Sequence, residues 1–348
     1  MEKFLALGMA LFAALPATTN YQLNSYGFGS GGTAGSSTAT YSLEGTSGEF
    51  SGQTGSTTNY SAKPGFVQTQ QANVPKVSSI DTNGGLYYNR LHFVIDPQGN
   101  PSDATFLVAV SSDGFSTDTK YLQTDGTLSA SLLLADYQTY AAFGSSGGSL
   151  ITGLLPATTY TIKIKATQGK HSESAFGPTS ALPTAAQTIT FNLVTSNQSV
   201  PPFSVDLGSL TSGAISTTAQ TINTSFSTNA ASGGDVYING QNSGLLSSST
   251  GYKINAVSTD LTGVGEGFGA QNSSITQTSG GPFSVVSPYS VTGTNVGIVD
   301  TTTRSLYSAT APVTGGAGVL LLKAKSASTD IAASDYQEVL TFTAAANF

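Results

Sequence analysis

Two histidines, His92 and His171, are the only imidazoles in the 348 residues, and there is no cysteine. Chemistry in this chain therefore falls mainly to hydroxyls and carboxylates. Gly144-x-Ser146-x-Gly148 has the letters of a nucleophile elbow, which needs a sharp strand-to-helix turn and a histidine base beside the serine. His92 alternates with core residues of a strand and is expected to face solvent, and His171 sits in the turn Gly169-Lys170-His171-Ser172. In a chain so rich in Gly and Ser such matches arise by chance, so no triad is expected. Gly27-x-Gly29-x-x-Gly32 matches a dinucleotide fingerprint in letters, but Thr33-Ala34-Gly35-Ser36-Ser37 follows where a helix N-terminus would have to hold pyrophosphate. The 19 acids form no obvious pair for glycoside hydrolysis. Glu266, between glycines in Gly263-Val264-Gly265-Glu266-Gly267, is the oddest of them and reads as a solvated acid on a flexible loop. Asp81-Thr82-Asn83-Gly84 opens like a calcium loop but lacks its later acids, and turn chemistry explains it equally well. No cofactor is expected, with calcium the one alternative, and the chain is read as no enzyme.

Aromatic side chains offer two further surfaces. Tyr87, Tyr88, Tyr137 and Tyr140 could stack on sugar rings, or could be ordinary core and rim, since exposed aromatics are informative only as a patch. Near the start of the chain Tyr21 leads to Phe28, Tyr41 to Phe50 and Tyr60 to Phe66, with the tyrosines 20 and 19 residues apart. Each unit pairs a short extended piece with a Gly-containing turn and a second aromatic piece. This predicts hairpin-like strands or one extended arm, against the alternative of a low-complexity stalk. Isolated hairpins are barely stable in water, so such strands must lean on each other, on the next domain or on a neighbouring molecule.

Only 9% of the residues are charged, against about 25% in typical globular proteins. The composition, dominated by Gly, Ser, Thr, Ala and Asn, is that of an exported β-rich protein. A net charge of −7 leaves no basic cluster to neutralise phosphates, which excludes nucleic-acid binding. Without cysteine, stability must come from core size, and the length suffices for two substantial cores. The apolar run from Phe4 to Ala14 has the length of a signal-peptide core, so residues 1–17 are expected to be a signal peptide, and no later segment is long enough to span a bilayer.

The elements that must carry these residues are strands. Tyr160, Ile162, Ile164 and Ala166 alternate with Thr161, Lys163 and Lys165, predicting a half-buried strand with its two lysines in water. Leu91, Phe93 and Ile95 form a second alternating set, and Phe106, Val108 and Val110 a third. Asp113-Gly114 and Asp125-Gly126 mark turns, and the stretch from Leu128 to Phe143 has room for a short helix or an extra strand. The series Leu154-x-Pro156-x-Thr158-x-Tyr160-x-Ile162-x-Ile164-x-Ala166 resembles the tyrosine corner and following strand of fibronectin type III domains. The resemblance covers residues 75–185 and implies a seven-stranded β-sandwich with no active site. The chain lacks the Trp such a core usually holds, and Phe93 is its expected replacement.

Beyond residue 186, Ile189, Phe191 and Leu193 alternate, as do Val205 and Leu207. Val236-Tyr237-Ile238 runs into Asn239-Gly240, a hairpin signal, Val319 to Lys325 reads as a strand, and Leu340, Phe342, Ala344, Ala346 and Phe348 share one face. The two ends of this stretch resemble secreted coat and pilin-like modules, and the whole layout is similar to surface proteins of ultrasmall candidate-phylum bacteria. The expected organisation is all-β: a signal peptide (1–17), a Tyr/Gly/Ser-rich repeat arm (18–74), a fibronectin type III-like sandwich (75–185) and a second antiparallel sandwich (186–348). The expected role is that of a secreted cell-surface structural or adhesive protein, self-associating by strand addition through the arm or binding other surface proteins. The alternative is a carbohydrate-binding accessory module that holds glycans.

Overall fold

A computed structural model describes residues 31–37, 42–47, 55–56, 61–62, 71–168 and 173–348. The chain is all-β, with its sheets antiparallel and its few helical pieces single 3₁₀ turns. Residues 1–17, His171 and the arm aromatics Tyr21, Phe28, Tyr41, Phe50, Tyr60 and Phe66 lie outside the described residues. Within the arm, Gly31–Ser37 pairs antiparallel with Ser42–Ser47, and Gly55–Ser56 with Ser61–Ala62. These strands come from the small-residue parts of the repeat, and Leu43 is their one large apolar residue.

Two compact units follow. One holds the described residues up to Ile80 together with His92–Thr152 and Thr159–Leu182; the other holds Asp81–Leu91, Gly153–Thr158 and Pro183–Phe348. In the first, one sheet has the order Ser149–Ile151, Leu91–Asp96, Lys76–Asp81. The other has the order Ser180–Pro183, Thr159–Thr167, Thr105–Ser111, Lys120–Leu122, Leu128–Ser129, with Gln138–Thr139 also on Thr105–Ser111. Alternation sets what each strand buries: Phe93 and Ile95 on one sheet, and Tyr160, Ile162, Ile164 and Ala166 on the other. Ile162 lies opposite Val110, and Ile164 opposite Val108. Phe93 is fully buried and meets Phe143 edge-on at 5.9 Å. The stretch from Leu128 to Phe143 holds both kinds of element, two short strands and the 3₁₀ turn Leu134–Asp136.

The outer face of Thr159–Thr167 departs from the sequence expectation. Its lysines are covered rather than free in water. The Lys163 ammonium lies 3.8 Å from the Phe115 ring centroid and 4.7 Å from that of Phe176. Lys165 lies 5.3 Å from Phe176 and 5.6 Å from Tyr137, and pairs with Glu173 at 2.5 Å. A long apolar stem and the attraction of a cation to a ring face make this a favourable way to cover a sheet.

In the second unit, Val313–Lys325 is the backbone of one sheet. It pairs with Ile222–Thr228, Ile215–Thr217, Gly267–Thr276 and Ser279–Gly280, and Ile189–Thr195 adds beyond Ile222–Thr228. A second sheet has the order Phe283–Val285, Arg304–Ala309, Gly234–Gly240, Leu340–Ala346. Phe226, Phe268 and Leu320 from the first sheet share one buried cluster with Val236, Ile238, Phe283, Leu306 and Tyr307 from the second. Close packing demands glycine at one point: a Cβ on Gly318 would come within 2.3 Å of the Tyr307 ring.

The hairpin expected at Asn239-Gly240 is not there. Both residues lie inside Gly234–Gly240, in register with Thr341 and Leu340. Gly240 serves close approach instead, since its Cβ would stand 3.1 Å from the Glu338 carboxylate and from the Val299 carbonyl. The chain turns after it, held by Glu338, which accepts from the N–H groups of Gln241 (2.7 Å), Asn242 (2.9 Å) and Gly244 (2.8 Å).

Candidate functional site

Among the described residues, those that the sequence singled out for catalysis or calcium are held in local structure. His92 places Nε2 at 2.8 Å from the carbonyl oxygen of Gly147, not at a serine hydroxyl. The Gly144–Gly148 stretch is a 3₁₀ turn with left-handed glycines at both ends, not an elbow between strand and helix. Asp81 turns back on its own loop and accepts from the N–H of Asn83 at 2.6 Å, an Asx turn with Asn83 and Gly84 at positive φ. Asp113 does the same work on a larger scale. It accepts from Ser111, Ser116, Thr117 and Asp118, and these hydrogen bonds, that from the Ser111 hydroxyl foremost, hold its carboxyl far below the usual range.

The four candidate stacking tyrosines are half-buried and divided between the units. In the second, the Arg90 guanidinium lies 3.7 Å from the Tyr87 ring centroid, and Tyr88 meets Phe348 edge-on at 5.5 Å. In the first, Tyr137 donates its hydroxyl to Glu173 under the Lys165 ammonium, and Tyr140 packs 6.3 Å from Phe106. Burial and the Glu173 carboxylate both push the Tyr137 hydroxyl upward.

Glu266 is a correction. Its loop is anchored rather than flexible, because the Lys325 ammonium donates to the carbonyls of Leu261 (3.1 Å) and Val264 (2.7 Å). The Tyr252 hydroxyl lies 2.8 Å from the Glu266 carboxylate and 2.9 Å from that of Asp330. One hydroxyl proton cannot serve two carboxylates at once. Partial burial raises the Glu266 carboxyl above its ordinary value, and the neighbouring Asp330 adds to the rise.

Asp330 leads to a cleft in the second unit that the sequence did not announce. With a volume of about 1120 Å³, it enters the sandwich between two edge strands. Ile189–Thr195 supplies Leu193 and Thr195, and Leu340–Ala346 supplies Leu340 and Phe342. The floor is core: Ile222, Leu245, Ile254, Phe268 and Leu322. A third wall is an extended segment carrying Phe203, Val205 and Leu207, half-buried, alternating with exposed Ser204 and Asp206. This is the alternation of a strand, but the segment forms none. It is tied by glutamine side chains, Gln198 accepting from the Ser204 N–H and Gln220 from the Asp206 N–H, each at 3.0 Å.

The remaining rim, residues 326–339, is fastened by carboxylates. Asp330 accepts from the Ala327 N–H at 2.7 Å and Glu338 grips the 241–244 turn. Asp335 accepts from the hydroxyls of Ser247, Ser248 and Ser249 and from the Ser249 N–H. Those bonds, that from Ser247 foremost, hold the Asp335 carboxyl well below the usual range. Apolar side chains stand exposed on this rim, Ile331 at 48% and Val339 at 53%.

The cleft has an apolar floor, but its lining as a whole is mixed, polar and apolar surface in about equal share, with its carboxylates bonded to backbone and hydroxyl donors at the edge. Its volume slightly exceeds the range of about 300–1,000 Å³ typical of small-molecule pockets. The one signal in the sequence was the Val205/Leu207 alternation after Pro201-Pro202, which reports burial without saying that no strand pairs with it. Among the described residues no helix is long and apolar enough to cross a membrane. Comparison with protein-family models finds no match for the chain, and comparison with curated proteins finds none either.

Proposed function

We propose that the protein is an exported, non-enzymatic structural component of a cell surface, whose copies associate by strand addition through the N-terminal arm. The observation that carries this reading is the open sandwich of the second unit: a cleft with an apolar floor, flanked by two strands that each pair on one side only among the described residues. An unpaired edge beside exposed apolar side chains is a template for another strand, and proteins that do not use such an edge cover or charge it. Low charge supports the same reading, because copies with only 9% charged residues repel one another weakly.

In the first unit, the sheet orders 149–151, 91–96, 76–81 and 180–183, 159–167, 105–111, 120–122 support the fibronectin type III-like reading, in which the domain is a rigid spacer. A glycan-binding role has less support, since the Tyr87 and Tyr137 rings already carry Arg90 and Lys165.

Light scattering and negative-stain electron microscopy test the proposal on the full chain and on a variant with Tyr21, Tyr41 and Tyr60 all replaced by Ser. Ordered multimers from the unaltered chain and monomers from the variant are expected. Monomers from both would overturn self-assembly, and undiminished multimers from the variant would remove the arm from it.

A further inference from the structure

We propose that the cleft of the second unit is the acceptor for the arm of a second copy. The segment Tyr21–Gly29 adds as a strand to the free edge of Leu340–Ala346 and places Tyr21 and Leu23, which share one face of an extended chain, at the cleft. This rests on the assembly reading above and names the surface that receives the arm.

The choice of edge follows from the backbone. Leu340–Ala346 pairs with Gly234–Gly240 along one side, and no strand among the described residues pairs with the other. Ile189–Thr195 is less available, because the Thr195 N–H already donates to the Gln198 carbonyl at 3.0 Å. Along the free strand Leu340 and Phe342 face the cleft while Thr341 and Thr343 are exposed, so an added strand gains backbone bonds and apolar burial together.

The choice of segment follows from charge and pairing. Ser42–Ser47 and Ser61–Ala62 are already paired within the arm, and their repeat units carry Glu44, Glu49 and Lys63. The first repeat precedes the first described strand and carries no charge from Tyr21 to Phe28, so it brings no repulsion to a rim that holds Asp206, Asp330 and Glu338. Nine extended residues reach about 30 Å, enough to run the length of the seven-residue edge.

The absence of cysteine makes a cross-linking test direct. One tagged full chain carries Gln22→Cys. A second, differently tagged, carries Thr341→Cys or Thr343→Cys, with the exposed Asp103→Cys as control. The two are mixed under assembly conditions and oxidised. A disulfide between the chains, formed with the Thr341 or Thr343 variant several-fold more than with the control, is expected. Multimers with no preference over the control would overturn the cleft as acceptor and leave arm-driven assembly standing. An internal disulfide in a doubly substituted chain, with none between chains, would overturn the second copy as donor. Absence of multimers from every chain would fail the assembly reading itself, and this inference with it.

Discussion

The two units solve the same problem to different degrees. In the first, strand Thr159–Thr167 buries Tyr160, Ile162, Ile164 and Ala166 on its inner face, and its outer lysines lie over Phe115, Phe176 and Tyr137. Both faces of that strand are covered by the unit's own side chains. In the second, strand Leu340–Ala346 has a neighbour on one edge and leaves Leu340 and Phe342 half-buried on a cleft. The segment 203–207 has the alternation to close that cleft and does not pair as a strand. The first strand is central in its sheet and the second is an edge beside a cleft; on the assembly proposed above, that edge takes its next strand from a neighbouring copy.

Truncation of matched side chains is the strongest way to break that contrast. Phe93→Ala, at a fully buried site, should cost about 3–5 kcal/mol in urea unfolding of the full chain. Phe342→Ala, on the cleft wall, should cost about 1–2 kcal/mol, since its ring already faces open space on one side. Equal losses would mean that the cleft is as closed as the first core. A middle effect is expected from Glu338→Ala. It strands the N–H groups of Gln241, Asn242 and Gly244 and should cost about 1–3 kcal/mol, with faster hydrogen exchange at those three amides.

The same contrast explains what could be read in the sequence. Period-2 patterns told which strands exist and which face each buries, as at 91–96 and 159–167, because alternation is a local property; at 105–111 they told the strand but not that both of its faces are buried. They did not tell pairing. Val205 and Leu207 alternate as cleanly as Ile162 and Ile164, but what distinguishes them is the absence of a neighbouring backbone, set by residues far along the chain. Asn239-Gly240 failed for the reverse reason. A hairpin signal was overruled by two long-range partners, at 340–341 and at the Asp300 carbonyl, which accepts from the Gly240 N–H at 2.7 Å. The cleft was invisible because it is assembled from stretches scattered between residues 193 and 342, and Glu266 looked solvated because its partners Tyr252 and Asp330 lie 14 and 64 residues away.

A smaller effect sharpens the comparison without disturbing either core. An environment-sensitive apolar dye should bind the native full chain at the cleft, and Leu207→Asp should reduce that signal several-fold while leaving the far-ultraviolet circular dichroism unchanged. Its saturation should also fall as the chain assembles, if the arm of a neighbour takes the same surface. Dye binding unaffected by Leu207→Asp would place the exposed apolar surface elsewhere.

The smallest expected effect is a pH dependence confined to the rim of the second unit. Asp335 has its carboxyl held below its ordinary value of 3.8, so the stability it contributes is present above that pH and is lost as pH falls through the folded value. Glu266 runs the other way. Its folded carboxyl is raised above 4.5, so its contribution is complete below pH 4.5 and is lost as pH rises through the folded value and the charge meets Asp330. Glu266→Gln removes only the second slope, because an amide can accept from the Tyr252 hydroxyl and donate to Asp330 at any pH. The thermal midpoints of the two proteins should coincide at pH 4 and separate toward pH 7, with the variant the more stable. Both should still fall together at more acid pH, where Asp335 and the other low carboxylates of the unit take up protons. Parallel curves from pH 4 to 7 would show that the Glu266–Asp330 pair shares no proton, and would leave the rim held by the Asp335 and Glu338 clasps alone.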